Sequence, residues 1–255
     1  MKILIKLGGT LLDAADSRER LAREINEVTH NHQVTVVHGG GKQMTRYLAE
    51  RGVESKFING LRVTSPDIID AVVKVFAGSV NAQLVSTLRA CGARPVGLSG
   101  LSAGLVDAVQ LDPELGQVGK PVSSDGRLLE LLAREGYLPV VACIAGDANG
   151  NIFNVNGDQM AVSCARGFHA DQLIFLTDVD GVRDGAGVVQ PQLSVAQSCK
   201  LIEDGAATGG MQAKLEAAIS ALGNGVREVL IAPGAQPGIV KSLIAGSRIG
   251  TRMVL

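Results

Sequence analysis

Tryptophan is missing from this 255-residue chain, and aromatic side chains of every kind make up only 3% of it. A surface that stacks nucleobases needs such rings, so a single-stranded nucleic-acid platform is set aside. No charge of one sign dominates either: 24 lysines and arginines meet 25 aspartates and glutamates, for a formal net charge of −1. The two signs alternate along the chain, which excludes a basic patch for nucleic acid or an anionic membrane. Cysteine is scarce. Cys91, Cys143, Cys164 and Cys199 are widely spaced, with no Cys-x-x-Cys pair and no Cys/His cluster of metal-ligand spacing. They read as reduced core thiols of a cytoplasmic protein. No run of about 18 or more apolar residues is expected to span a bilayer, and the apolar segment after Met1 stops too soon for a signal peptide. Internal repeats, low-complexity tracts and Pro/Ser-rich linkers are absent too. The expected partner is a small molecule.

Two nucleotide motifs also fail. Gly41-Lys42 lacks the earlier glycine and the following Ser/Thr of a Walker A loop, since Val36 and Gln43 stand there. Gly39-Gly40-Gly41 lacks the third glycine of a dinucleotide fingerprint, a place taken by Met44.

What is present is a set of apolar runs that stop at glycines. Val34-Thr35-Val36-Val37-His38 ends in Gly39-Gly40-Gly41 and then reads as helix; Lys2 to Leu7 ends in Gly8-Gly9, with Lys6 near its end. A buried strand stopping at glycines leaves bare N–H groups with no Cβ in a ligand's way, and the next helix adds its positive end. Two such strands suggest a phosphate-handling crevice at the carboxyl edge of a parallel sheet. Phosphoryl transfer needs positive charge and N–H donors around the moving group; the glycine turns with Lys6 and Lys214 supply them, and Asp158, at the start of a helix, is the aspartate that would hold two such lysines in place. A carboxylate acceptor is already ionised at neutral pH, so such a reaction would need no base, and His38 reads as a structural turn residue.

In chain order, Ser17 to Thr29 reads as a helix capped by Ser17, and a second helix runs from Gly41 to a glycine stop at Gly52. Phe57 to Thr64 reads as a hairpin about Asn59-Gly60, with Arg62 just past the turn. Ser65-Pro66 opens a long helical segment to about Arg89. Arg94 to Leu98 and Gly104 to Leu111 read as extended, the latter as meander. Gly126 to Glu135 reads as helix and Tyr137 to Ile144 as buried strand, whereas Asn154 to Gln159 reads as a polar turn leading into a helix from Met160 to Arg166. A strand over Asp171 to Thr177 follows, then helices from Ala196 and after Thr208, and strands over Val226 to Ala232 and Gly250 to Leu255 around a short helix. A soft boundary falls near Gly167.

Several of these stretches, taken in order over essentially the whole chain, resemble the amino acid kinase family, in particular its branch acting on N-acetyl-L-glutamate. They are Lys6-Leu7-Gly8-Gly9, His38-Gly39-Gly40-Gly41, Asn59 to Thr64, Gly136 to Val141, Asn154 to Gln159, Thr177 to Gly181, and Gly209-Gly210-Met211 with Lys214. The resemblance implies an α/β fold: a three-layer αβα sandwich around a mainly parallel central sheet, in two lobes. Residues 1–167 would bind the acceptor and dimerise, and residues 168–255 would bind ATP. It implies that Lys6 and Lys214 stabilise the transition state while Asp158 organises both. Gly8 and Gly9 would contact the phosphoryl group, and Gly40 and Gly41 would offer N–H donors to N-acetylglutamate. Arg62 would pair with its α-carboxylate, and Asn154 would fix its amide end. The segment Asp178, Val179, Asp180, Gly181, Val182, Arg183 and the turn Ala206, Ala207, Thr208 would surround ATP, brought in with Mg²⁺.

Two features depart from the commonest family pattern. Gly157 stands where many members carry alanine and where kinases for the one-carbon-longer N-acetylaminoadipate use glycine, which leaves that acceptor as the alternative. The chain also begins at its first strand, without the N-terminal helix of arginine-inhibited hexamers, so a homodimer without arginine feedback is expected. From another functional class, the rival is a non-catalytic amino-acid-binding regulator on the same fold. A nucleoside monophosphate kinase or an aspartate kinase of the superfamily fits less well.

Overall fold

The computed structural model describes residues 1–255. Along the chain run β1 (Lys2–Leu7), α1 (Ala15–Thr29), β2 (Gln33–His38), α2 (Gly41–Ala49), β3 (Phe57–Ile58) and β4 (Leu61–Arg62). Then come α3 (Pro66–Val73), a π-helical turn (Lys74–Val80), α4 (Asn81–Ala90), β5 (Pro95–Ser99), β6 (Val106–Gln110), β7 (Val118–Ser124), α5 (Arg127–Arg134) and β8 (Leu138–Ala142). After them lie β9 (Ile144–Gly146), β10 (Ile152–Val155), α6 (Gly157–Phe168), β11 (Gln172–Thr177), β12 (Gln192–Ser194) and α7 (Val195–Glu203). The chain closes with α8 (Gly209–Gly223), β13 (Glu228–Pro233), α9 (Ile239–Ile244) and β14 (Thr251–Val254).

Eight strands form one sheet in the order β12-β14-β13-β11-β1-β2-β8-β5, parallel except where β14 runs against β13. The continuous apolar runs of β1, β2, β8 and β11 are those of strands buried on both faces, and helices cover both sides. Helices α1, α4 and α9 pack together on one face, while α5, α6 and α8 cover the other. This is the expected αβα sandwich. The boundary near Gly167 falls in the last turn of α6, and the sheet passes through both halves of the chain, with β1 flanked by β2 and β11.

Beside the sheet, β10, β7, β6 and β9 close on themselves. The meander expected after Gly104 is the β6–β7 pair of this unit, but β7 itself is not anticipated, because Lys120-Pro121 interrupts its alternation. Asn154 lies on β10 rather than in a turn, and Ile152–Val155 alternates half-buried and buried residues as a strand does. Ser17 is not a cap: α1 starts two residues earlier, with Ala14 at its N-cap and no side-chain hydrogen bond there.

The segment Pro66–Ala90 is long and apolar enough to cross a bilayer by length and composition alone. Its buried residues Val72, Val75, Phe76, Val80, Leu84 and Leu88 belong to the core.

Candidate active site

In-register parallel pairing sets Lys6 against Val37 and Leu7 against His38, so β1 and β2 end side by side and their glycine turns meet. A Cβ on Gly9 would lie 3.3 Å from the Gly41 amide nitrogen. The Gly8 N–H is taken by the Leu176 carbonyl at 3.1 Å, whereas the amides of Gly9, Gly40 and Gly41 have no partner inside the protein. Gly40 also admits close packing: a Cβ there would come within 2.8 Å of the Phe76 ring.

Over this edge stands α6. Its N-cap Asn156 accepts hydrogen bonds from the amides of Asp158 (2.9 Å) and Gln159 (3.3 Å), which fixes the first turn and with it Asp158. The Asp158 carboxylate is clasped between two ammonium groups, with Lys6 Nζ 2.7 Å from Oδ1 and Lys214 Nζ 2.8 Å from Oδ2. Burial by itself would raise the Asp158 pKa, but the two lysines outweigh it and hold the carboxyl at about 2. Burial lowers the Lys214 pKa, opposed by Asp158 and by the charge of Asp178. The triad is therefore two cations about one fixed anion. Lys6 comes from the first strand and Lys214 from a late helix, so Asp158 ties the two ends of the chain together at one point.

A cavity of about 220 Å³ opens beside Lys6, lined among others by Gly40, Gly41, Arg62 and Asn154. All the acceptor residues expected from the sequence thus share one pocket. The Arg62 guanidinium donates to Thr45 Oγ1 (2.7 Å) and to the Gly41 carbonyl (3.1 Å), meets Ser55 Oγ, and lies 4.7 Å from the centre of the Phe57 ring. It is pre-positioned rather than free to swing. Asn154 Nδ2 donates to Thr64 Oγ1 at 3.1 Å, which leaves its side-chain carbonyl for another group. A second cavity, of about 470 Å³, runs between α6 and α8; it contains Asp158 and shares Gly60, Leu61 and Asn156 with the first.

His38 is buried, with both ring nitrogens engaged inside the protein. Its Nε2 accepts from Asn81 Nδ2 at 2.9 Å, so its Nδ1–H donates to the Gly39 carbonyl at 2.9 Å, and burial lowers its pKa to about 4. Neutral imidazole is its form at neutral pH.

The segments expected to surround ATP line neither cavity. Asp178, Val179 and Asp180 are exposed after β11. Arg183 pairs with Asp180 at 2.9 Å and donates to the Gly187 carbonyl at 2.7 Å. Val182 is buried and its amide donates to Thr251 Oγ1 at 2.8 Å; Gly181 adopts φ 148° where a Cβ would meet that same hydroxyl. Ala207 is buried, Ala206 half-buried and Thr208 the N-cap of α8. Of these residues Asp178 acts on the triad, its charge favouring the protonated form of Lys214.

Three contributors were not singled out from the sequence: Phe76, which lies against Gly40; Cys143, whose thiol donates to the His38 carbonyl at 3.0 Å; and Asn81. Asn81 alone left a trace, a polar residue in the apolar stripe between Val80 and Leu84.

A profile described as the amino acid kinase family matches residues 1–233. An acetylglutamate kinase of Solibacter usitatus is 62% identical over 255 residues, spanning 100% of this chain and 99% of the relative. One from Acidobacterium capsulatum is 41% identical over 247 residues, 95% of each chain. Among solved structures, an N-acetylglutamate synthase from Neisseria gonorrhoeae, complexed with coenzyme A and N-acetyl-glutamate, superposes with a TM-score of 0.87 at 24% identity. The match covers 100% of this chain but 59% of that one, and at this identity it speaks for the fold alone.

Proposed function

The chain belongs to the amino acid kinase family, and we propose that within it this protein phosphorylates the side-chain carboxylate of N-acetyl-L-glutamate with ATP, a step of arginine biosynthesis. The observation that carries this reading is Asp158 held between Lys214 and Lys6, the latter lining the Arg62 pocket. The pocket receives the acceptor, with Arg62 toward the α-carboxylate and Asn154 toward the acetamido end. A side-chain carboxylate oxygen attacks the γ-phosphorus, the bond to the β,γ-bridging oxygen breaks, and ADP leaves with that electron pair. No base is required, because the acceptor is already ionised at neutral pH. That agrees with a His38 kept neutral.

Lys6 and Lys214 counter the charge that grows on the transferring group, and the unpartnered amides of Gly9, Gly40 and Gly41 add donors. Asp158 keeps the two ammonium groups apart and aimed. ATP lies against Asp178 to Arg183 and Ala206 to Thr208, and Mg²⁺ enters with it as part of the substrate. On this reading residues 1–167 serve the acceptor and residues 168–255 the nucleotide. Two copies associate through the first of these halves, where β5 leaves an outer sheet edge free, and the four free thiols suit a reducing cytoplasm.

Gly157 keeps a second acceptor in view. A Cβ there would lie 3.1 Å from Lys6 Cε and 3.6 Å from Cys143 Sγ, so its absence leaves room beside the reacting end of the pocket. Hydroxylamine trapping of acyl phosphate with MgATP tests both, with N-acetylglutamate, N-acetylaminoadipate, glutamate and aspartate offered in parallel. Signal with N-acetylglutamate alone is expected; preference for the longer acid would reassign the substrate, and no signal with any acid would refute kinase chemistry.

A further inference from the structure

Helix α4 begins with a polar residue in a place made for apolar ones. Asn81 is 5% exposed and lies in the interface between the long helical segment and the sheet. Its Nδ2 donates twice, to His38 Nε2 and to the Val140 carbonyl, both at 2.9 Å. The sheet is shaped around it: a Cβ on Gly97 of β5 would lie 2.3 Å from Asn81 Oδ1. Immediately before Asn81 the helix widens into the π-helical turn Lys74–Val80, which carries Phe76 against Gly40. Single π-turns inside α-helices recur where a side chain must be re-aimed at a functional site.

We propose that Asn81 is a positioning residue for the acceptor: by donating to His38 Nε2 it makes Nδ1–H the donor to the Gly39 carbonyl, and so aims the Gly40 N–H into the acceptor cavity. A trans peptide is planar, with its C=O and N–H pointing opposite ways, so holding the Gly39 oxygen holds the Gly40 hydrogen. Gly40 is then braced by the Phe76 ring, and its extended φ of −170° leads into the Gly41 amide at the start of α2. The Cys143 thiol, donating to the His38 carbonyl, fixes the preceding peptide in the same manner. No protein acceptor competes for the two glycine amides.

The inference rests on the acceptor role proposed above. Asn81→Leu keeps the side-chain bulk and removes both donors. It is expected to raise the KM for N-acetylglutamate about tenfold or more and leave the KM for ATP within about twofold. An equal change in both, or none in either, would contradict it, since a merely structural residue would not single out the acceptor. A measurement on the unmodified protein guards against a variant that does not fold. Nitrogen-15 NMR of the histidine rings is expected to find His38 as the neutral Nδ1–H tautomer. The Nε2–H tautomer would overturn the proposal, because Nδ1 could then not donate to Gly39. If the unmodified protein turns over no N-acetylglutamate, the functional reading fails separately, and the tautomer still decides whether Asn81 sets the loop.

Discussion

Lys6 and Lys214 each touch one oxygen of Asp158, and the arithmetic of charge decides what they can do. With the carboxyl held at about 2, two ammonium groups about one carboxylate leave a surplus of one positive charge for a group that gains negative charge at the transition state. Lys6→Ala and Lys214→Ala are each expected to lower kcat by roughly a hundredfold or more, with a much smaller effect on either KM, in steady-state assays. An unchanged kcat in either would remove that lysine from the mechanism. Asp158→Asn leaves two buried cations without their counter-ion and is expected to cost about 3–5 kcal/mol. The pH dependence follows from the sign of the shift. A pKa lowered from 3.8 to about 2 contributes stability that is present above the unfolded value and lost as pH falls through the folded one. Thermal melts should therefore show the wild-type advantage over Asp158→Asn shrinking between about pH 4 and pH 2. An advantage that is constant across that window would place the stabilisation elsewhere.

Among the elements, the β3–β4 hairpin and the first turn of α6 carry the most consequence. Asn59 and Gly60 both take positive φ (49° and 76°), as a two-residue turn of this kind requires, and this swings Arg62 back over Gly41 and Thr45. Arg62→Lys keeps the charge but loses the planar fork that meets Ser55 from one nitrogen and Gly41 and Thr45 from the other. It is expected to raise the acceptor KM about tenfold while ATP binding holds, read from paired saturation curves; selective loss of ATP affinity would mean the lobes are assigned the wrong way round. At α6, Asn156→Ala removes an N-cap that accepts two amides and should lower stability by about 1 kcal/mol in a denaturant titration. No shift in the midpoint would show that the cap is satisfied by solvent. The hairpin was legible because Asn-Gly between extended residues has few other uses. The strand β10 was not, because Asn154-Val155-Asn156-Gly157 reads locally as a turn and only the pairing with β7 and β9 makes it extended.

At the scale of the whole molecule, the parallel sheet was legible from apolar runs that stop at glycines, and with it the edge where Lys6 and the two glycine turns meet. The charge types suggested Lys6, Lys214 and an aspartate between them, and the resemblance gave their roles, but no local pattern relates the three until α6 packs on β1 and α8 packs on α6. The Asn81–His38–Gly39 chain left only the trace of a polar residue in an apolar stripe: its partners are 43 residues apart in sequence and meet only when α4 packs on the sheet over β5 and β8. One measurement tests the central claim that an acceptor carboxylate oxygen attacks ATP in this site. N-acetylglutamate labelled with oxygen-18 in its side-chain carboxylate would be incubated with MgATP, the product cleaved by hydroxylamine, and the released phosphate analysed by phosphorus NMR. Phosphate carrying one acceptor oxygen is expected; unlabelled phosphate, the mark of water attacking ATP, would contradict it.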